Sequence, residues 1–394
     1  MKKSLYIDKP FQNCFGGDKN RSRFLWRVLA AHYDAEIGLL EESADDAARV
    51  GEVTPRLWFS EPEGFRNPLL PDCVFRYDSK SREAFEAIQS DTPYDFLFFR
   101  FLSTALLSRQ LSDTNRPPII VDADLVASRL SWQSWNNKRT IRNRYFFLEA
   151  LKLMAFERDM YQRPFLYLLT NTDELQWARD QYKKIGVPED RFALVANPMP
   201  DVAPEVVAEA QKADSNYILF HGALGSSVNW DAYQFMLREI YPLIAAELEK
   251  RDLWIHVVGK GMYPEHEQIK EEMGATRVKL VGQVDDIGEA IANSLLCLIP
   301  LRLGSGTKTR VLEAAAYGKC VVTTPLGLEG LEFGPEELEI GTTGKELGDI
   351  LISLLGDGDR IKELAHNLNT KSLSLYSEAI VGQQLVEAID EHCS

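Results

Sequence analysis

Cysteine is scarce and widely spaced in this chain: Cys14, Cys73, Cys297, Cys320 and Cys393, with no C-x-x-C pair. An odd count at such distances gives neither a disulfide framework nor the clustered thiolates of a structural zinc site. A reducing, cytoplasmic setting is expected. Long apolar runs are absent too. The stretch 97–107 is broken by Arg100 and stays well below the roughly 18 residues of a spanning helix. The opening MKKSLYIDKP has charge but no apolar signal core, so the protein is expected to be soluble or at most peripheral. Positive charge is in deficit, with 44 Lys and Arg against 59 Asp and Glu and a net charge of −15. Such a field repels nucleic acid, and anionic bilayers too unless basic residues cluster locally. Nucleic acid is therefore not an expected partner. No fixed-period repeat and no low-complexity tract is present, which excludes solenoids and disordered tails.

What remains is an ordinary globular composition, 394 residues with 45% hydrophobic and 26% charged, long enough for more than one core. Short runs of Val, Ile, Leu and Phe, each followed by a loop and an amphipathic stretch, recur along it. That alternation predicts parallel sheets covered by helices, an α/β chain. In the first half the strand candidates are Leu5–Ile7, Ala35–Leu39, Phe96–Phe99, Ile119–Val121 and Phe165–Leu169, with helices at Arg21–His32 and Asn143–Tyr161. The second half has strands at Tyr217–Phe220, Trp254–Val258, Val278–Val281, Leu295–Ile299 and Cys320–Thr323. Helices near Trp230–Leu248, Glu265–Met273, Ile287–Asn293 and Thr309–Tyr317 separate them. This is the outline of a nucleotide-binding domain. Between the halves, Ala196–Glu205 holds three prolines in ten residues and reads as an interdomain hinge, with the cleft beside it. Domains of 1–203 and 204–375 follow, and Ser377–Glu391 is a terminal helix with apolar Ile380, Val381, Leu385 and Ile389.

The most informative stretch is 295–331, LLCLIPLRLGSGTKTRVLEAAAYGKCVVTTPLGLEGL. A buried strand runs into Pro300, a loop with Gly304 and Gly306 follows, and a helix then carries Lys308, Arg310 and Glu313. Glycines let backbone N–H groups approach a ligand, while the helix N-terminus and two basic side chains supply positive charge; together they suit a diphosphate. The plain alternative is a strand–loop–helix with solvated basic residues.

Here the chain resembles family 4 glycosyltransferases, the group 1 type, with their P-x-R-x-G-x-G-T-K loop, V-L-E-A helix and G-K-x-V-V strand. Pro300, Arg302, Gly304, Gly306, Thr307, Lys308, Val311, Leu312, Glu313, Ala314, Gly318, Lys319, Val321 and Val322 carry the match. Phe220–Ile244, Val257–Gly261, Val281–Asp286 and Gly16–Arg21 are similar to further family segments. The resemblance implies a GT-B fold, two Rossmann-like domains facing across a cleft, with helix 376–394 packing back on the first. It implies that Glu313 accepts hydrogen bonds from a nucleotide ribose, a task for a two-oxygen acceptor. Gly304, Ser305, Gly306 and Thr307 would face the phosphates or sugar, and Lys308 and Arg302 would stabilise the leaving diphosphate. Gly16, Gly17, Asn229, Gly259, Gln283 and Val284 complete the implied donor contacts. Two departures are visible: Ser305 stands where many members have a second Glu, and 222–231 lacks the usual basic pair.

Asp122 and Asp124 follow a strand in PPIIVDADLVAS. An Asp-x-Asp can hold Mg²⁺ or Mn²⁺ in a GT-A enzyme, but a donor loop some 180 residues downstream in its own domain fits GT-B, which needs neither metal nor cofactor. The pair is read as acceptor positioning or proton relay, against capping of the next helix by Asp124 or Ser128. His221, at a strand end, is more often structural than catalytic. Basic Lys138, Arg139, Arg142 and Arg144 beside Trp132 and Trp135 leave room for peripheral contact with the inner face of a membrane, or form a solvated helix face. The expected function is retaining transfer of a hexosyl group from a nucleotide-sugar donor to a saccharide or lipid-linked acceptor, in polysaccharide or glycoconjugate assembly. A GT-B nucleotide-sugar epimerase and a catalytically degenerate scaffold are the rival readings.

Overall fold

A computed structural model describes residues 1–8, 17–41, 57–60, 71, 83, 85, 93–111, 116–137, 144–213, 215–304 and 307–394. Two compact units divide it, 1–197 with 381–394, and 198–380.

The first unit is built on seven parallel strands: β1 (Lys3–Asp8), β2 (Asp34–Glu41), β3 (Leu57–Ser60), β4 (Phe96–Arg100), β5 (Ile119–Asp124), β6 (Leu166–Leu169) and β7 (Phe192–Leu194). Their order across the sheet is β3-β2-β1-β4-β5-β6-β7. β4 and β6 are buried at every residue, as strands covered on both faces must be, and this is why they read as unbroken apolar runs. Among the described residues, α1 (Gly17–His32), α2 (Ala127–Asn137), α3 (Arg144–Tyr161) and α4 (Thr172–Lys183) flank this sheet.

The second unit has six parallel strands: β8 (Tyr217–His221), β9 (Trp254–Val258), β10 (Val278–Gly282), β11 (Leu296–Ile299), β12 (Cys320–Thr323) and β13 (Glu339–Ile340). Their order is β10-β9-β8-β11-β12-β13. The helices are α5 (Pro204–Lys212), α6 (Ser227–Phe235), α7 (Tyr241–Lys250), α8 (Pro264–Glu272), α9 (Ile287–Ala292), α10 (Thr309–Ala316), α11 (Gly344–Gly356) and α12 (Gly358–Tyr376). The single helix expected near Trp230–Leu248 is interrupted by a π segment at Met236–Ile240. Pro242, just inside α7, has no N–H to bond the carbonyl four residues back, and the wider turn accommodates it. Cys297 and Cys320 are buried, free thiols, each pushed up to about 12 by burial. Cys14 and Cys73 lie outside the described residues.

The terminal helix α13 (Glu378–His392) buries Val381, Leu385 and Ile389, whereas Ile380 stays exposed. From residue 381 onward it belongs to the first unit, where Lys2 Nζ meets Asp390 at 2.9 Å. A Cβ at Gly382 would lie 3.3 Å from Val28 of α1, so the two helices approach closely there.

Candidate functional site

In each sheet the chain leaves the middle in opposite directions, from β1 toward β2 and β4, and from β8 toward β9 and β11. Such a switch opens a crevice at the carboxyl ends of those strands, the usual ligand position in open α/β sheets. In the second unit His221 closes β8 at that edge, and α10 brings Glu313 to it. His221 Nε2 stands 3.3 Å from Glu313 Oε2, with side-chain exposures of 3% and 16%. Burial raises the Glu313 pKa, but the His221 hydrogen bond and charge, Arg310 and the Thr309 hydroxyl outweigh it, so the carboxyl sits below its ordinary value. It is held ionised and still reachable by solvent.

Glycines make this crowding possible. Gly222 follows His221 at φ +151°, and a Cβ there would lie 2.8 Å from Arg310 Cζ and 2.9 Å from Asn229 Nδ2. Only glycine admits the Arg310 guanidinium at that point. Gly259 (φ +154°) is tighter still, because its Cβ would fall 1.7 Å from the Gly222 carbonyl oxygen. Backbone packing by itself requires glycine there. Asn229 is held in the same corner. Only 3% exposed, it donates from Nδ2 to the Ala223 carbonyl at 2.8 Å and accepts from Arg310 Nη2. It braces Arg310 through its amide oxygen.

The loop after β11 is described to Gly304 and again from Thr307; Ser305 and Gly306 lie outside the described residues. Gly304 is at φ +119°, with its would-be Cβ 3.6 Å from Lys308 Nζ. Lys308 precedes the first turn of α10 and is 8% exposed, with Nζ 3.6 Å from Glu329. Arg302 faces α6. Its Nε and Nη2 reach both Asp231 oxygens at 3.1 Å, Nη1 reaches Glu239 at 3.1 Å, and its carbon lies over the Phe235 ring. Arg302 is thus engaged with Asp231 of α6 and Glu239 of the π segment, while Arg310 stands on the Glu313 helix. Gln283 is exposed and Val284 half-buried in the loop after β10, an edge strand.

At the switch of the first unit, Asp122 is fully buried between two arginines. Arg21 reaches it through Nε at 2.9 Å and Nη2 at 2.5 Å, and Arg100 Nη1 stands 2.7 Å away. Burial raises the Asp122 pKa and the two guanidiniums lower it, with a net shift downward. Both guanidiniums and Asp122 are at most 1% exposed, so Asp122 cannot touch an acceptor: its catalytic assignment is withdrawn in favour of a structural one. Arg21 also donates to the carbonyls of Val195 and Ala196 and to Asn197 Oδ1, tying α1 and β5 to the segment after β7. Asp124, at φ +65° where the β5–β6 register shifts, pairs with Arg100 Nη2 at 3.2 Å and keeps 15% exposure. Neither it nor Ser128 caps α2. Glu174 accepts from the Val126 N–H and Glu157 from the Ser128 N–H, each at 2.9 Å. Gly17 opens α1, and Gly16 lies outside the described residues. The sequence reading missed Arg21 and Arg100 as partners of Asp122; a buried strand ending in Arg was the available signal.

Residues 215–368 match the family model described as Glycosyl transferases group 1. No curated protein matches the chain. Among solved structures, sucrose-phosphate synthase from Thermosynechococcus elongatus is similar with a TM-score of 0.70 at 15% identity, covering 99% of each chain. Anabaena HepE in complex with UDP-glucose gives 0.67 at 15% identity, covering 99% of this chain and 100% of that one. WaaG, a glycosyltransferase of lipopolysaccharide biosynthesis, gives 0.59 at 15% identity, with 98% of each chain covered. These likenesses establish the GT-B fold, and the family match places a group 1 glycosyl transferase domain at residues 215–368 of the second unit.

Proposed function

We propose that this GT-B glycosyltransferase moves a hexosyl group, with retention of configuration, from a nucleotide-sugar donor to a saccharide or lipid-linked acceptor in polysaccharide or glycoconjugate assembly. The observation that carries the reading is Glu313, held ionised by His221 and Arg310 at the switch point of the group 1 domain. An ionised carboxylate with an accessible face accepts hydrogen bonds from two vicinal ribose hydroxyls. Lys308 and Arg310, one before and one in the first turn of α10, supply positive charge toward a diphosphate about one and a half turns from Glu313. With that charge in place the leaving phosphate is stabilised without a metal, and positioning is the protein's main contribution. The complexes of HepE with UDP-glucose, and with UDP and glucose, make a UDP-sugar the first donor to try.

The test is a thermal-shift screen against UDP-, GDP-, ADP- and dTDP-sugars, followed by transfer assays with and without EDTA. One nucleotide class should raise the melting temperature, since stabilisation follows donor affinity, and turnover should be unchanged by EDTA. Activity abolished by EDTA and restored by Mn²⁺ would defeat the metal-free reading. Release of an epimerised sugar without any acceptor would replace transfer by epimerisation.

A further inference from the structure

Four basic side chains are buried among the described residues: Arg21, Arg100, Lys308 and Lys319. Three of them meet a carboxylate, Arg21 and Arg100 at Asp122 and Lys308 at Glu329. Lys319 does not. It is 4% exposed, its Nζ donates to the Ala210 carbonyl at 2.5 Å, and none of the groups that shift its pKa is a carboxylate. Burial pushes that pKa down to about 8, so the amine keeps its charge at neutral pH, with two N–H donors beyond the one given to Ala210. Buried charges are ordinarily paired. In the basic stretch of the first unit, by contrast, Arg129 stands 4.0 Å from Glu174, while Lys138, Arg139 and Arg142 lie outside the described residues.

Lys319 and Ala210 both line a cavity of about 390 Å³ at the amino ends of the second unit's strands. One wall is made where Ser215, Ser294 and Lys319 lead into β8, β11 and β12, and another is a face of α12 carrying Gly358, Lys362 and His366 at helical spacing. Among the described residues no Asp or Glu lines it, in a chain of net −15; Asp214 lies outside the described residues. A Cβ on Gly358 would meet nothing within 4 Å, but Asp357 already caps α12 by accepting from the Arg360 N–H at 3.0 Å, so Lys319 and not the helix end is the anchor. Lys362 keeps only a loose pairing with Asp359 at 3.9 Å, and His366 can donate from its ring. A second cavity of about 290 Å³ shares Gln211 and His366 with the first and gives a ligand longer than phosphate room to extend. The five residues of β8 separate this edge from His221, about 13 Å at roughly 3.3 Å per residue, so the cavity is distinct from the Glu313 crevice.

We propose that this cavity binds a phosphate group, free or as the monoester of a small molecule, with Lys319 as its buried counter-ion and Lys362 and His366 as exposed partners. Two lysines and an imidazole suit a dianion better than a single carboxylate, and lysine binds phosphate as a point charge. The test is calorimetry of the full chain in phosphate-free buffer at neutral pH and constant ionic strength, with inorganic phosphate, glycerol 3-phosphate and acetate as probes. Saturable binding of phosphate is expected, and tighter binding of glycerol 3-phosphate would assign the monoester. Lys319→Met should lose roughly tenfold or more in affinity. Lys362→Ala, at an exposed position that folding does not depend on, should lose several-fold, and it keeps the test decisive where Lys319→Met fails to fold. Phosphate can also meet Lys308 and Arg310 at the donor edge, so Arg310→Met is the control and should retain the binding. Absence of saturable phosphate binding by wild type would overturn the proposal, as would unchanged binding in either lysine variant. Loss in Arg310→Met alone would also overturn it and place the anion at the donor edge, and equal binding of acetate would replace phosphate by a carboxylate.

Discussion

Asp122 between Arg21 and Arg100 is a buried charge cluster whose value to the fold can be separated from any value to chemistry. Replacing it with Asn keeps its shape but leaves two guanidiniums facing one neutral amide, and breaking a buried ion pair in this way costs about 3–5 kcal/mol. Asp122→Asn should therefore lower the urea midpoint sharply, while Asp124→Asn, whose partner Arg100 keeps Asp122, should do so much less. The sign with pH follows from the depressed folded-state pKa of Asp122. Its contribution is complete above the unfolded value of about 3.9 and disappears as pH falls through the lower folded value. Acid unfolding of wild type should accordingly include a limb below about pH 4 that Asp122→Asn lacks; coincident acid profiles would refute the cluster's role. The same logic reaches Glu313. His221→Phe removes a hydrogen bond and a charge that hold this carboxyl down, so nucleotide binding should fail at a higher pH than in wild type. An unmoved acid limb would mean that His221 merely fills space. From the sequence, Glu313 was singled out through the V-L-E-A resemblance, which is a contiguous, local signal. The Arg21–Asp122 pairing could not, since its members lie 101 positions apart and meet only through the sheet. The pairing of Arg302 with Asp231 and Glu239 was hidden for the same reason, joining positions 71 and 63 apart.

Among the elements, the central strands were legible because burial on both faces leaves no polar alternation to hide them. β3, β7 and β13, with four, three and two residues, carry too little pattern to be read, and all three are sheet edges. The turns after β8 and β9 offer a sharper test of why glycine is there. Gly259 has the Gly222 carbonyl where a Cβ would go, whereas Gly186, also at positive φ, has nothing within 4 Å. Gly186→Ala should cost only the conformational penalty, about 1 kcal/mol. Gly259→Ala must push two strand ends apart and should cost several times more by urea denaturation, displacing Arg310 as it does so. Similar costs for the two variants would show that the close approach of these turns is not maintained.

For the whole molecule, two α/β units and one ligand edge in the second were foreseeable from alternating strand and helix patterns and from one motif. The division of labour between residues at that edge was not. Arg310, one of the two basic residues at the helix start, stands beside Glu313, Asn229 braces it, and Gly222 makes room for it. The account stands or falls on Glu313 as the ribose carboxylate of a nucleotide-sugar donor. The most direct measurement is calorimetry of nucleoside diphosphates on wild type and Glu313→Gln at neutral pH. The substitution keeps size and removes charge, so two charge-assisted hydrogen bonds of about 1.5–3 kcal/mol each should weaken. One diphosphate should bind wild type, and its affinity should fall by roughly tenfold or more in the variant with unchanged melting of the free protein. Equal binding of that diphosphate by two folded proteins would contradict the assignment.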